Sequence, residues 1–268
     1  DQPRSRGLGD VYKRQVQKFY LEWHNRLRHP SHPRLMFLFR SGYLSNTEKY
    51  RKLVRRVCQE MEVPCKCAAC IFVKQHRRPT GSTTIRRNAQ VRSLDSMHLY
   101  PGSQVCTDHF NCRVKGRLFE SFGKTPENQM YSGGVIMVDT ATKHVWVKPL
   151  VNLDGVATVE AKDEYEAYCL DHGVVNKEYL TDLGTPFTSE EFTNHLRSLH
   201  QIVRYAGTAA HHQNGIAERA IRTIMTTART MVIHAAIHWH EMADTQLWPM
   251  AVQYAVYLYN LSLIHISE

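Results

Sequence analysis

The 268-residue chain lacks any run of 18 consecutive apolar residues, so no segment is long and apolar enough to cross a bilayer as a helix, and no membrane partner is expected. Its first residues hold no apolar stretch of the secretory kind. No internal repeat is visible. The seven cysteines are odd in number and irregularly spaced, unlike the framework of a disulfide-stapled domain, so a reducing, intracellular setting is expected. Acidic residues are scarce at the start. Residues 1–100 carry 21 Lys/Arg against 7 Asp/Glu, a balance of +14, whereas the other 168 carry 13 against 18, a balance of −5.

A basic first third joined to a mildly acidic remainder suggests a polyanion-binding arm on a separate body, and nucleic acid is the usual polyanion. The hydrophobic content of 43% is too high for a disordered chain. The length suits one large domain, or a medium one with a small companion. The two ends, "SRGLGDVYKRQ" and "LSLIHISE", have the character of translated adapter read-through. Residues 1–15 and 261–268 are therefore set aside as non-native tails, and the rest reads as part of a longer polyprotein.

Between Val16 and about Arg78 the chain is basic and carries His and Cys, with helical spacing over Phe19–Leu27 and over "EKYRKLVRRVCQEM", where Leu53, Val54, Val57 and Met61 share a face. Residues 79–104 read as a Pro/Gly/Ser/Thr/Arg linker. The second region, 105–260, opens with a strand, "QVCTDHF", followed by a polar insertion over roughly 111–132. "GVIMVDTATKHVWVKPLV" reads as a hairpin turning near Thr140–Lys143. An amphipathic helix over 155–172 is closed by His172-Gly173. Then come a strand "KEYLTD", a helix capped by Thr188 or Ser189, a strand "IVRYA", a long helix from about Asn214 to Ile237, and an apolar helix over 245–260. Strands first, then strands alternating with helices, predict an α/β fold around a mixed sheet.

Two constellations carry chemistry. "WHNRLRHPS" separates His24 from His29 by four residues, and "CKCAAC" holds the C-x-x-C pair Cys67 and Cys70. Two imidazoles and two thiolates suit structural, tetrahedral zinc. His32 competes with His29, and Cys65 with Cys67. The second constellation is acidic: Asp108 in the first strand, Asp182 at the end of "KEYLTD" before Gly184, and Glu218 near the start of the long helix, with 35 residues between the last two. Hard carboxylate oxygens at such positions suit Mg²⁺ and phosphoryl transfer. On the long helix Ala217, Ile221, Ile224, Ala228, Met231 and Ala235 form one apolar stripe, while Glu218, Arg222, Met225 and Arg229 form another. The bland alternative for the second stripe is an i,i+4 Glu–Arg surface pair. Asp139 reads as the cap of the hairpin turn, and Asp95, Glu190 and Glu191 as linker or helix-start residues.

Taken together, "WHNRLRHPS", "CAAC", "YLTDLGTPFTSEEF", "HHQNGIAERAIRTIMTTAR" and "LWPMAVQYAVYLYN" resemble the integrase of copia-type LTR retrotransposons over roughly residues 20–260. The resemblance implies a His-His-Cys-Cys module over 16–78 (His24, His29, Cys67, Cys70, binding Zn²⁺) ahead of an RNase H-like catalytic core. It also implies a D,D-35-E triad of Asp108, Asp182 and Glu218 holding two Mg²⁺ or Mn²⁺. Gln213, Asn214 and Gly215 would lie close to DNA, with Arg219, Arg222 and Arg229 beside them. The implied reaction is metal-dependent strand transfer of element cDNA 3′ ends into target DNA, with 3′-end processing as a further step. The implied partners are DNA and further copies of the chain, as dimer or tetramer, and the implied locations are the nucleus and cytoplasmic virus-like particles. Leu183 departs from the polar residue relatives carry there, and the insertion lengthens the Asp108–Asp182 spacing. No further DNA-binding domain is read beyond residue 260, and neither protease nor reverse transcriptase accompanies these blocks. An inactive integrase remnant that binds zinc and DNA is the alternative; a cut-and-paste transposase or RNase H relative fits the His-His-Cys-Cys module poorly.

Overall fold

The structure, a computed structural model, describes residues 8–42, 44, 48–73, 100–120, 123–206 and 214–261. Most of the expected linker, together with Asp95 and Gln213, lies outside them. The chain divides into two compact units, residues 1–76 and 77–268.

The first unit is helical: α1 (Leu8–Arg26), α2 (His32–Arg40), α3 (Glu48–Glu60) and α4 (Ala68–Val73). Val16, Phe19 and Tyr20 of α1 pack with Leu35, Met36 and Phe39 of α2 and with Val54, Val57 and Met61 from α3 and its end. Two features differ from expectation. The first helix reaches back to Leu8, into the segment set aside as a tail, because i→i+4 bonding propagates outward from the turn that buries Val16 and Phe19. Helix α2 escapes a periodicity reading because Pro33 follows its first residue; there the missing N–H costs nothing, since first-turn donors have no helical partner.

The second unit is a five-stranded mixed sheet of β1 (Val105–Gly116), β2 (Tyr131–Asp139), β3 (Val145–Leu150), β4 (Glu178–Thr181) and β5 (Ile202–Tyr205), in the order β3-β2-β1-β4-β5. Strands β1, β2 and β3 are antiparallel, while β4 runs parallel to β1 and β5 parallel to β4. Strand β1 outruns its expected end at Phe110 and takes the first part of the expected insertion. After a register shift between Asn111 and Gly116 it is fixed by Trp248, whose indole N–H donates to the Val114 carbonyl at 2.9 Å.

Two helical layers cover the sheet. On one face α5 (Gly155–Asp171), α6 (Thr185–Thr188) and α7 (Glu190–Ser198) bury Val105, Val135, Met137 and Leu150 against Ala161, Tyr165, Phe187, Phe192 and Leu196. On the other, α8 (Gly215–His238) and α9 (Trp248–Asn260) bury Cys106, Phe110, Ile136, Val138, Val145 and Val147. Alternate residues of β1 and β2 thus serve opposite layers, the period-2 rule of a sheet buried on both faces. This is an α/β fold built on a mixed sheet, as the order of strands and helices in the sequence predicts. Asp154 caps α5 by accepting from the Ala157 amide at 2.8 Å, and Ser189 caps α7 through the Phe192 amide. Asp139 caps the β2–β3 turn, accepting from the Thr142 amide and hydroxyl at 2.7 Å each.

Beside β1, Gly133 sits so close to its neighbour strand that a Cβ there would lie 2.1 Å from the Phe110 carbonyl oxygen. Gly133→Ala is expected to cost about 1–3 kcal/mol, the usual penalty for overpacking. Thermal melts followed by circular dichroism would show a midpoint several degrees lower; an unchanged midpoint would contradict the packing.

Candidate functional site

In the first unit, α1 ends in two consecutive non-glycine residues of left-handed conformation, Arg28 (φ 60°) and His29 (φ 55°). Each costs on the order of 1 kcal/mol relative to a right-handed residue. The turn they make closes with the His29 amide donating to the His24 carbonyl at 2.8 Å, and it swings His29 back over His24, ring centroids 4.9 Å apart. Cys67 immediately precedes α4 and Cys70 lies in its first turn, so both thiols face one side. His24 Nε2 lies 3.3 Å from Cys70 Sγ, and His29 Nδ1 lies 3.4 Å from Cys67 Sγ. All four ligand atoms fall within 4.8 Å of one another, and among the described residues this is the one group of three or more His, Cys, Asp or Glu whose ligand atoms converge so closely. Zn–S of ~2.3 Å and Zn–N of ~2.0 Å at the tetrahedral angle put N and S roughly 3.5 Å apart, so the donor set fits zinc. The competing residues are placed elsewhere: His32 Nδ1 is 2.9 Å from the Tyr20 hydroxyl, and Cys65 is outside the group. Burial, reinforced by Cys65 and Cys70, pushes the Tyr20 hydroxyl up to about 12, so it stays a neutral donor or acceptor beside the cluster.

In the second unit the sheet register brings the acids together. Cys106 pairs with Leu180 across the parallel β1–β4 ladder, so positions 108 and 182, one pleat further on, share a row and the face covered by α8. Asp108 is pushed up to about 6, first by burial, then by the charge of Asp182 and, to a smaller extent, of Glu218; the His109 amide, 2.8 Å away, opposes the rise. Asp108 therefore feels the charge of both other acids at one end of the sheet, although the three are not gathered as tightly as the His–Cys group. Such crowded hard oxygens are a donor set that a divalent cation relieves. Gly184 follows in the turn after β4 and caps the start of α6. Its φ of −61° needs no special freedom. It leaves room instead, since a Cβ there would sit 2.9 Å from Asp182 Oδ1, which accepts the Gly184 amide at 3.0 Å.

Glu218 is held in place by its helix. Ala217, Ala220, Ile224 and Ala228 are buried against the sheet, and three small side chains in that row let α8 lie close to it. The apolar stripe read from the sequence is thus rotated slightly: Ala220 and Thr230 are buried, while Ile221, Met231 and Ala235 are half-buried. Asn214 precedes the helix without capping it. Its side chain is buried and donates to the Thr107 carbonyl at 3.1 Å, tying the start of α8 to the residue before Asp108. The Asn214 amide thus serves the protein's own interior. No sequence signal distinguishes that inward use from a cap. Arg219, Arg222 and Arg229 are exposed, and Arg219 Nε donates back to the Gly215 carbonyl at 2.7 Å. Among the described residues no ion pair joins Glu218 to Arg222. His109, next to Asp108, faces the opposite layer over Phe187; burial pushes it down to about 4, leaving a neutral ring against Thr158.

Because Asp108 is harder to ionise folded than unfolded, its burial is cost-free only while it is protonated. The penalty grows as pH rises from about 4 to about 6 and is complete above. In metal-free protein Asp108→Asn is expected to be more stable than the wild type at pH 7.5 by about 1 kcal/mol, allowing for partial exposure. The gain should vanish at pH 4, as denaturant titrations at the two pH values would show.

No protein-family model matches the chain. Among curated proteins it is 28% identical over 250 residues to the retrovirus-related Pol polyprotein from transposon TNT 1-94 of Nicotiana tabacum. It is 24% identical over 247 residues to that from transposon RE1 of Arabidopsis thaliana. The matches cover 90% and 89% of this chain but only 15% and 13% of those polyproteins. Solved structures with partial likeness include the HTLV-2 integrase catalytic core domain in complex with magnesium (16% identity, 60% of this chain and 87% of that one, TM-score 0.40). Another is the simian T-cell lymphotropic virus intasome in complex with the PP2A regulatory subunit B56 gamma (16% identity, 90% and 67%, TM-score 0.43). Along nearly its whole length, the chain is similar to part of the retrovirus-related Pol polyproteins of two plant transposons.

Proposed function

We propose that this chain is the integrase segment of a retrotransposon polyprotein, a polynucleotidyl transferase that joins element cDNA 3′ ends to target DNA. The observation that carries the reading is the row formed by Asp108 and Asp182 on the face that α8 covers, with Glu218 close enough for its charge to act on Asp108. Two Mg²⁺ or Mn²⁺ ions, when bound, would supply Lewis acidity at the phosphodiester and ease deprotonation of the attacking hydroxyl. The three carboxylates would hold them. Asn214 keeps the start of α8 against β1, and exposed Arg222 and Arg229, on the stripe that carries Glu218, would bind DNA phosphates. In the reaction, a cDNA 3′-oxygen attacks a target phosphorus in line; a new P–O bond forms as the target strand's own 3′-oxygen leaves with a proton.

His24, His29, Cys67 and Cys70 would hold a structural Zn²⁺, since four protein ligands leave no open position for substrate. DNA and further copies of the chain are the partners this reading requires, and the nucleus and cytoplasmic virus-like particles are the places where they would meet.

Two experiments test it. In a disintegration assay on branched DNA with Mn²⁺, the wild type should yield joined product and Glu218→Gln none, with unchanged thermal stability. Joining by both proteins would remove Glu218 from the chemistry; joining by neither would favour a remnant that binds without catalysing. Separately, elemental analysis should find one zinc per chain, lost in Cys67→Ser. Retained zinc in that variant would refute the four-ligand assignment.

A further inference from the structure

The β1–β4 ladder ends before it reaches the acids. Its backbone pairs are Val105 with Tyr179 and Cys106 with Leu180, β4 stops at Thr181, and Asp182 lies in the turn that follows. The distance from Asp108 to Asp182 is therefore left to side chains. His109 touches both acid-bearing segments. Its amide donates to Asp108 Oδ1 at 2.8 Å, and its ring lies against the buried Phe187, centroids 4.5 Å apart and planes inclined by 32°. Phe187 belongs to the same short turn as Asp182. Its amide donates to the Gly184 carbonyl at 3.0 Å, and the Gly184 amide donates in turn to Asp182 Oδ1. Phe192, edge-on to Phe187 at 5.5 Å, and the Tyr205 hydroxyl, donating to the Phe187 carbonyl at 3.1 Å, hold that turn from other sides.

We infer that His109 is a positioning residue for the acid site proposed above: its imidazole, seated on Phe187 and tied to Thr158, sets the spacing of Asp108 and Asp182 for a shared divalent cation. The ring is itself fixed. Thr158 gives its hydroxyl proton to the Asp154 carbonyl at 2.6 Å, so it accepts from His109 Nε2–H at 3.1 Å, which locks the rotation of the imidazole. Mg²⁺ demands oxygen ligands at ~2.0–2.1 Å in near-ideal geometry, so a small splay of β1 from the Asp182 turn forfeits one carboxylate. Loss of the ring would empty the space between β1 and Phe187, and the turn that carries Asp182 would relax into it. The role differs from ligation, because the imidazole faces Phe187 and Thr158 on the α5 layer while the acids face α8.

The test titrates Mn²⁺ into the full chain, counting the free ion by electron paramagnetic resonance, beside thermal melts. His109→Ala should bind Mn²⁺ roughly tenfold more weakly than the wild type, or worse, as when a group that orients metal ligands is lost. His109→Phe should lose far less, because a phenyl ring keeps the Phe187 contact and Thr158 keeps its bond to the Asp154 carbonyl. Phe187→Leu removes the same contact from the other side, so it should weaken binding too, and the double variant should be no weaker than the worse single one. Asn260→Ala strips two hydrogen bonds from Val145 of the edge strand β3; it should melt earlier with unchanged Mn²⁺ affinity, which separates spacing from general stability. Phe187→Leu stays apolar and is decisive if His109→Ala proves unstable. Affinities within about twofold of the wild type in both single variants, or effects that simply multiply in the double variant, would overturn the role of His109. So would His109→Phe binding as weakly as His109→Ala. Asp182→Asn tells that failure from failure of the site: it should abolish Mn²⁺ binding, and unchanged affinity there would overturn the acid site and His109's role with it.

Discussion

The larger unit depends on one constraint, the double pairing of β1. The strand takes β2 antiparallel on one edge and β4 parallel on the other, so it is central, and its alternation is enforced from both sides. A slip of one residue would send Asp108 to the α5 layer and His109 to the α8 face. The observed register keeps the carboxylate on the open row with Asp182 and leaves the imidazole neutral beneath Phe187. The acid cluster is thus a consequence of strand register before it is a matter of side-chain chemistry.

Helices α8 and α9 complete that arrangement by different means. Helix α8 approaches the sheet through small residues, which brings Glu218 within electrostatic reach of Asp108, and Asn214 fastens its first turn to β1. Helix α9 secures the strands through polar side chains. Trp248 donates to the Val114 carbonyl, Gln253 to the Val147 carbonyl, and Asn260 pairs with both the N–H and the carbonyl of Val145. Strand β3 is an edge of the sheet, and these side chains occupy backbone groups that would otherwise invite another strand. The "LWPMAVQYAVYLYN" block therefore has a structural reason for its Trp, Gln and Asn that is independent of any catalytic role.

The first unit shows the same economy on a smaller scale. A short three-helix core leaves the placement of four ligands to a left-handed turn after α1 and to the start of α4. The strain at Arg28 and His29 persists because a 6→1 backbone bond and the surrounding core over-determine the turn. Metal ligation by the residues so gathered would add to that restraint.

Much of this was legible in the sequence because it rests on local rules. Helix and strand periodicity located most elements, turn chemistry placed Asp139 and Ser189, and the spacing of His, Cys and acidic residues singled out both constellations. What escaped depends on partners far along the chain. Helix α2 hides behind its proline, and β1 continues past Phe110 because Trp248, distant in sequence, holds it. Lys162 is fully buried, with Nζ 2.9 Å from Glu166 and over the Tyr179 ring, where a helical lysine would be read as solvent-facing. Asn214 turns inward to the Thr107 carbonyl. Composition and spacing determined which residues could act. Which carboxylates share a row, which histidine joins the thiols and which asparagine anchors a helix were decided only by the tertiary fold, because register, burial and close approach are properties of pairs of segments and not of either one alone.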